Sequence, residues 1–332
     1  MRDFIFNFNG IKFIISGTEK SVKKIETLFK KMIPSESNLD LVNFNYFIHY
    51  FEDERIWNVL ESLRMTQAKF SIAPNIERLR INDKDIFYSK TQFYVFNDGV
   101  DYYIYAKNNK YSVFYVVLEL IQRTFEEYKY FIYHGTGISV ENVNMDIIGN
   151  SGSGKTTLMS KFFQSSLTGK KFLSNDRILI GQNYTSAFPI EIHLNPIIAE
   201  NDKFLNKAYL GNDCYLKPCE LLNAYPDLVP ANFFRNSIIV IPRIDFLDKD
   251  TLSICRCDEL ARNELDDCCF TIFDKESPRQ YWLMHTGFSE YQTRIDIDSL
   301  NSYLINNFDI LLLRYGCNVS GEEIYEKIRK KI

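Results

Sequence analysis

The residues Asp146-Ile-Ile-Gly-Asn-Ser-Gly-Ser-Gly-Lys-Thr-Thr157 form the most informative segment of this 332-residue chain. Residues 149–156 match the phosphate-binding pattern G-x-x-x-x-G-K-[ST] in full. Apolar residues precede the pattern and a helix-like run follows it, so it lies between a predicted strand and a predicted helix. In that setting, the backbone N–H groups of the loop and the N-terminus of the helix surround a phosphate. The segment therefore predicts a nucleotide-binding site.

The residue types of this segment predict which groups would bind ATP and Mg²⁺. Lys155 is expected to reach the outer phosphates, and the hydroxyl of Thr156 is expected to bind Mg²⁺. The remaining positions supply backbone N–H groups, and the glycines allow the chain to wrap closely around a phosphate. The predicted nucleotide contacts are Gly149, Asn150, Ser151, Gly152, Ser153, Gly154, Lys155, Thr156 and Thr157.

The composition is that of an ordinary globular protein large enough for two domains. Hydrophobic residues make up 45% of the chain, charged residues make up 25%, and the net charge is −4. A balance of this kind gives no attraction for nucleic acid, so we expect no nucleic-acid partner. There is no signal-peptide pattern, and no uncharged apolar run approaches the ~18 residues that can span a membrane. We therefore expect a cytoplasmic protein that does not enter a membrane.

The seven cysteines are odd in number and include no C-x-x-C pair. Zinc sites usually use tighter, paired spacing, so we interpret these residues as reduced thiols. The alternative is a metal cluster, for which only the pairs Cys255/Cys257 and Cys268/Cys269 are close enough in sequence.

Residues 1–130 are predicted to form a small α+β domain. Residues 4–15 alternate in polarity on both sides of Asn9-Gly10, a pair typical of a two-residue hairpin turn. A helix is expected after this hairpin, and Ser112 is expected to cap another. This domain contains no set of residues with the types and spacing of a catalytic site. Substrate docking and homo-oligomer formation are therefore the two roles considered for it. The apolar face of the first helix is expected to be Val22, Ile25, Leu28, Phe29 and Met32.

Residues 131–332 are predicted to form an α/β domain around the phosphate-binding segment. The alternation of apolar runs with amphipathic runs is typical of a sheet covered by helices. Later helices are expected near residues 196–207, from 218, at 258–267, 300–308 and 322–331, and strands at 237–245 and 309–314.

Asp176 is the best candidate for a second metal ligand. It closes the predicted strand after the loop's helix, where a carboxylate can share Mg²⁺ with Thr156. The alternative is that Asn175-Asp176 forms a turn or a helix cap. Motor and switch ATPases instead place an acid after a run of four apolar residues, but the run at 237–241 is followed by Pro242.

The stretch from His134 to Ile180 resembles the catalytic domain of HPr kinase/phosphorylase, a bacterial protein-serine kinase related to phosphoenolpyruvate carboxykinase. The resemblance rests on His134-Gly135 ahead of the loop, on the loop itself, and on Asn175-Asp176 where the family has two aspartates. In that family the first aspartate is the base for the substrate hydroxyl and the second helps to hold the metal. The resemblance implies an HPr kinase/phosphoenolpyruvate carboxykinase-like P-loop domain with a smaller N-terminal domain.

Two departures from the family pattern concern the catalytic groups. An asparagine at position 175 cannot act as a base. Either another group accepts the proton of the substrate hydroxyl, or positioning of the substrate together with the metal is enough for phosphoryl transfer. His134 is the first substitute to consider, and a structural histidine beside a glycine turn is the alternative. Glu191 resembles a metal-linked glutamate of the family, although His193 replaces the arginine that follows it.

Later parts of the chain match the family more loosely. The segments starting at Cys214 and Ile241 resemble an HPr kinase-like branch found beside peptide-modifying systems. Arg243 ends a predicted buried strand. Its side chain is interpreted either as a phosphate contact or as an ordinary surface group at the end of the strand.

Together these features predict a kinase that uses ATP and Mg²⁺ and phosphorylates a hydroxyl, most simply a Ser or Thr of a peptide or protein. Lys155 would neutralise developing charge, and Thr156, Asp176 and Glu191 would hold the metal. His134 or Asn175 would handle or orient the acceptor. A nucleotide-sensing module without catalysis and a small-molecule kinase are the two alternatives.

Overall fold

In a computed structural model of the protein, the structure describes residues 1–33, 41–66, 69–73, 76–81, 84–89, 93–98, 101–107, 109, 111–190, 192–194, 214–271 and 290–332. Over these residues the chain is a mixed α/β protein with three large sheets and eight helices. It divides into two compact units. The first consists chiefly of Met1–Lys30 and Glu36–Tyr128, and the second chiefly of Lys129–Phe270 and Tyr291–Ile332.

The first unit contains an eight-stranded sheet with the order β1-β2-β3-β8-β7-β6-β5-β4. The Asn9-Gly10 turn joins its first two strands, and the left-handed φ angles of 51° and 94° fit the predicted hairpin. All five residues of the predicted apolar face of the first helix are buried. The elements in chain order are β1 (Arg2–Phe8), β2 (Ile11–Gly17), α1 (Glu19–Met32), β3 (Phe44–Phe51), α2 (Glu54–Thr66), β4 (Lys69–Ala73), β5 (Ile76–Ile81), β6 (Lys84–Ser89), β7 (Phe93–Asp98), β8 (Asp101–Ala106) and α3 (Tyr111–Glu127).

The second unit holds the other two large sheets. Its elements in chain order are β9 (Phe131–Tyr133), β10 (Gly135–Val140), β11 (Val143–Ile148), α4 (Lys155–Gln164), β12 (Lys171–Ser174), β13 (Ile178–Ile180), β14 (Tyr184–Ala187), β15 (Ile192–Leu194), β16 (Cys214–Leu216), α5 (Pro218–Ala224), β17 (Val229–Pro230), β18 (Phe233–Arg235), β19 (Ile238–Asp245), β20 (Leu252–Cys255), α6 (Asp258–Cys268), β21 (Cys269–Phe270), α7 (Glu290–Asn307), β22 (Ile310–Gly316) and α8 (Gly321–Arg329).

The seven-stranded sheet of the second unit has the order β17-β12-β10-β11-β19-β22-β20. The central strands β11, β19 and β22 run parallel, so their carboxyl ends meet at one edge of the sheet. In open α/β sheets this edge is where ligands usually bind. The five-stranded sheet has the order β18-β14-β13-β9-β21.

Both faces of the seven-stranded sheet are covered, which explains the near-continuous apolar runs of its central strands. Ile147 of β11 packs in one cluster with Leu158 and Phe162 of α4 and Ile324 of α8. The next residue, Ile148, packs in a second cluster on the other face, with residues of α6, α7 and the five-stranded sheet. Each such buried aliphatic side chain contributes about 1.5–3 kcal/mol. The strand that precedes the loop is therefore held firmly on both sides.

Several predicted boundaries differ from those of the structure. The helix expected at 300–308 starts at Glu290, and Ser112 lies inside α3, where its hydroxyl donates to the Asn109 carbonyl at 2.5 Å. The predicted helix at 196–207 lies outside the described residues. In the described parts of the chain, no helix combines the length and apolar composition needed to cross a membrane.

Candidate functional site

Residues 149–154, here called the glycine-rich loop, connect the carboxyl end of β11 to the start of α4. Backbone hydrogen bonds attach the loop to its surroundings on two sides. The Gly149 N–H donates to the His134 carbonyl at 3.2 Å, and the Ile244 N–H donates to the Ser153 carbonyl at 3.1 Å. The Tyr315 hydroxyl donates to the Gly154 carbonyl at 2.7 Å. The loop is therefore anchored to β19, to β22 and to the junction between β9 and β10.

Two glycines of the loop have left-handed backbone angles, φ 81° at Gly152 and φ 102° at Gly154. L-residues with a side chain rarely adopt such angles. A Cβ at Gly154 would also lie 2.6 Å from the Tyr315 hydroxyl oxygen and 3.0 Å from the Ile244 Cβ, whereas a Cβ at Gly152 would meet no atom within 4 Å. Gly154 is thus required by both its angle and its neighbours.

The N-terminus of α4 has no side-chain cap. The residue before the helix is Gly154, and the first N–H that bonds back to it is that of Leu158, at 2.8 Å. The backbone N–H groups of Lys155, Thr156 and Thr157 have no hydrogen-bond acceptor among the described residues. Uncapped N–H groups and the helix dipole together favour an anion at this position.

The side chain of Lys155 folds back over the glycine-rich loop. Its Nζ donates to the carbonyl oxygens of Gly149 at 2.6 Å and Asn150 at 3.0 Å, and the residue is only 5% exposed. Burial lowers the pKa of Lys155 to about 8, although the charges of Asp176 and Glu264 act in the opposite direction. The ammonium is therefore still charged at pH 7, and it belongs to the first residue of α4, the helix whose N-terminus is uncapped.

Asp176 lies in the turn between β12 and β13 with a left-handed φ of 63°. Its backbone carbonyl accepts the Gly135 N–H at 3.3 Å, and its charge raises the pKa of Lys155. The carboxylate is thus close enough to Lys155 to act on it electrostatically. Thr156 follows Lys155 in the first turn of α4 and is partly buried.

A metal at this site would rely on few protein ligands. Among the described residues, no three or more His, Cys, Asp and Glu side chains are grouped to hold a metal ion. The Thr156 hydroxyl and the Asp176 carboxylate are oxygen ligands of the kind Mg²⁺ accepts, and Mg²⁺ usually completes its shell with phosphate and water. The third predicted ligand, Glu191, lies outside the described residues.

Asn175 does not face the glycine-rich loop as an exposed group. It is 1% exposed, and its Oδ1 accepts a hydrogen bond from the Thr136 hydroxyl at 2.6 Å. Its Nδ2 has no partner among the residues that the structure describes. In this conformation Asn175 can orient the turn that carries Asp176. Because its side chain is buried, it does not contact a substrate hydroxyl directly.

His134 lies beside the loop and is half-buried. Its backbone N–H donates to the Cys268 carbonyl at 2.7 Å, which ties β9 to the end of α6. Burial, and then the nearby charges of Lys155 and Arg177, lower the pKa of His134 to about 3. The imidazole is therefore neutral at pH 7 and is a weak base in the protein without a ligand.

The guanidinium of Arg177 stacks on the ring of Phe270, with Cζ 3.7 Å from the ring centroid. The same ring lies 6.0 Å from the His134 ring, centroid to centroid. This stacking holds a cation close to His134 and explains part of the lowered pKa of the histidine.

Glu264 was not among the predicted site residues, yet it contacts the loop directly. Its carboxylate accepts the Asn150 N–H at 2.8 Å and forms an ion pair with Arg243. One sequence signal could have revealed it, because Glu264 occupies an inward position on α6. The buried residues of that helix are Ala261, Glu264, Leu265 and Cys268, and an acid in such a stripe needs a partner.

The pairs Cys255/Cys257 and Cys268/Cys269, which the sequence left open as an alternative metal cluster, are not grouped as metal ligands among the described residues. Cys255 is exposed on β20, while Cys268 is buried with its Sγ 3.7 Å from a Glu264 oxygen. Burial raises the pKa of Cys268 to about 12, so this thiol is protonated.

No model of a known protein family matches the chain, and no curated protein matches it either.

Proposed function

We propose that the protein is an ATP- and Mg²⁺-dependent kinase of the HPr kinase type, which transfers the γ-phosphate to a Ser or Thr hydroxyl of a peptide or protein. One observation carries the proposal. The Lys155 ammonium lies inside the glycine-rich loop, beside the uncapped N-terminus of α4 and within the electrostatic reach of Asp176. A cation, a set of N–H donors and a carboxylate in one site are the groups that phosphoryl transfer requires.

In this proposal the chain binds and orients the phosphates with groups that are already in position. Bound ATP and Mg²⁺ would supply the phosphoryl group and a positive charge that offsets the negative charge of the phosphates. The N–H groups of Lys155, Thr156 and Thr157 donate to phosphate oxygens, and Lys155 neutralises charge that develops on them. The Thr156 hydroxyl and the Asp176 carboxylate would hold the metal. Electrostatic positioning of this kind accounts for most of the catalysis in such enzymes.

The proton of the acceptor hydroxyl has a candidate acceptor in His134. Its pKa of about 3 results from burial and from the charges of Lys155 and Arg177. Negative phosphate groups bound at the loop offset those two charges, so the pKa of His134 rises when the site is filled. His134 then accepts the proton while Asn175 orients the turn of Asp176 from within the core.

The proposal is tested by incubating the protein with Mg²⁺, γ-labelled ATP and Ser- or Thr-containing peptides. We expect label transfer that is lost in Lys155→Ala and kept in the control Lys171→Ala, which removes the same charge from an exposed site on β12. Transfer by Lys155→Ala at the wild-type rate would contradict the proposal.

A nucleotide-sensing module without catalysis is the second candidate, and two observations favour it. Position 175 carries no carboxylate, and the alternative base, His134, has a strongly lowered pKa. A sensor binds ATP but phosphorylates no acceptor. Restoring the acid with Asn175→Asp leaves a sensor inactive, whereas it changes the transfer rate of a kinase.

A further inference from the structure

The arginine at the carboxyl end of β19 lies beside the glycine-rich loop. Strand β19 is the parallel neighbour of β11, and the Ile244 N–H donates to the Ser153 carbonyl of the loop at 3.1 Å. The residue before Ile244 is Arg243, whose positive charge is close enough to lower the pKa of Lys155. Two cations therefore face the same small region.

A buried carboxylate fixes the position of this arginine. The Glu264 side chain is 6% exposed, and one of its oxygens accepts both the Asn150 N–H at 2.8 Å and Arg243 Nη1 at 3.3 Å. The other oxygen pairs with Arg243 Nη2. Burial raises the pKa of Glu264, but these hydrogen bonds lower it by a larger amount. The net pKa is therefore below the ordinary value, and the carboxylate stays ionised. One acid thus connects the start of the loop to the guanidinium in a two-point pair, which defines its orientation.

The guanidinium itself retains hydrogen-bonding capacity. The Arg243 side chain is 53% exposed, although its partner is buried. Its five N–H groups make three hydrogen bonds to described residues, one to the Pro242 carbonyl at 3.3 Å and two to Glu264. The remaining two N–H groups, one on Nε and one on Nη2, have no hydrogen-bond partner among the described residues. A planar donor pair of this kind suits a terminal phosphate, with its several accessible oxygens.

We infer that Arg243 binds the terminal phosphate of the nucleotide, and that Glu264 is a positioning residue that holds the guanidinium next to the loop. The inference rests on the proposed function, because it assumes a nucleoside triphosphate on the glycine-rich loop. The inferred contact would add a preference for a nucleoside triphosphate over a diphosphate. A group that reaches only the third phosphate strengthens the binding of ATP relative to ADP.

Substitutions at these two positions separate a phosphate contact from a purely structural ion pair. Arg243→Gln removes the charge, so we expect ATP binding to weaken about 10- to 100-fold while ADP binding changes little. Arg243→Lys keeps the charge but loses the planar geometry, and an intermediate effect is expected. Glu264→Gln keeps the shape but releases the guanidinium, so the ratio of ATP to ADP affinity falls in the same direction.

The chain offers a matched control for the charge change. Arg314 lies opposite Arg243 in the register of β19 and β22, is 61% exposed on its side chain, and pairs with Asp245. Arg314→Gln therefore removes one exposed, paired arginine from the same sheet edge. We expect it to leave the affinities for ATP and ADP unchanged.

The experiment is calorimetric titration of the full chain with ATP and with ADP in the presence of Mg²⁺, after circular dichroism shows that each variant is folded. A selective loss of ATP affinity in Arg243→Gln and not in Arg314→Gln supports the inference. Equal affinities in wild type and Arg243→Gln, or an equal loss for both nucleotides, overturn it while the proposed function stands. Absence of nucleotide binding by the wild type overturns both.

Discussion

The ammonium of Lys155 lies 2.6 Å from the carbonyl oxygen of Gly149, the first residue of the loop that Lys155 follows. The lysine thus closes the glycine-rich loop on itself. Because its position is already set, little ordering would be needed for a phosphate to bind there. In this position the positive charge of Lys155 is buried, which lowers the pKa of the lysine.

The affinity for ATP should depend on pH through Lys155. The pKa of this residue is lowered to about 8, so the unliganded side chain loses its charge as the pH rises above that value. An anionic ligand favours the charged form, and the affinity should fall by up to about tenfold for each pH unit above 8. Titration calorimetry between pH 7 and pH 10 measures this fall. Lys155→Arg stays charged throughout, so an equal fall in that variant would show that another group is responsible.

The pKa of His134 should rise when phosphate groups bind. Without ligand it is about 3, because burial and the charges of Lys155 and Arg177 disfavour the protonated ring. Proton NMR of the ring can follow the titration with and without ATP, and His134→Gln identifies its signal among the four histidines. A pKa that does not change when ATP is bound would exclude His134 from the vicinity of the phosphates.

Asp146 should make the second unit less stable as the pH rises from about 4 to about 7. Burial raises the pKa of this fully buried carboxyl to about 7, although a hydrogen bond from Thr185 opposes the change. In that range the folded state keeps a proton that the unfolded chain has released, so this contribution falls by about 1.4 kcal/mol per pH unit. Above pH 7 it is constant.

His134 acts in the opposite direction below pH 6.5, so the prediction for Asp146 concerns a difference between two proteins. Asp146→Asn removes only the first contribution, and its free energy of unfolding in urea should rise relative to wild type from pH 4 to pH 7. A difference that is independent of pH would mean that Asp146 titrates normally.

The two left-handed glycines of the loop should tolerate substitution unequally. Gly152→Ala costs about 1–2 kcal/mol for the backbone angle alone, because a Cβ there meets open space. Gly154→Ala carries the same cost and also a collision with the Tyr315 hydroxyl, which adds about 1–3 kcal/mol. Urea unfolding of both variants tests this order, and equal losses of stability would count against the structure of the loop.

Features coded by neighbouring residues could be predicted from the sequence. The strand, loop and helix around Lys155 follow from a local pattern, as does the hairpin at Asn9-Gly10. Glu264 could not be predicted in the same way, because its partner Asn150 is 114 positions away and only the fold brings them together.

The burial of Asn175 was also not predictable from local sequence. It depends on how β12 pairs with β10, where the register shifts between Gly137 and Ile138. A register shift of one residue exchanges the inward and outward faces of a strand, and no local pattern encodes it. The early start of α7 at Glu290 is a similar case, since no clear apolar stripe precedes residue 300 in the sequence.

We propose that the glycine-rich loop serves in phosphate transfer and not only in phosphate binding. The most direct test is the rate of label transfer from γ-labelled ATP to Ser- and Thr-containing peptides, measured with and without Mg²⁺ for wild type, Lys155→Ala and Asp176→Asn. We expect Mg²⁺-dependent transfer by wild type and a loss of at least about 100-fold in each variant. Wild-type protein that binds ATP but transfers no label, or variants that transfer it at the wild-type rate, would contradict a role in phosphate transfer.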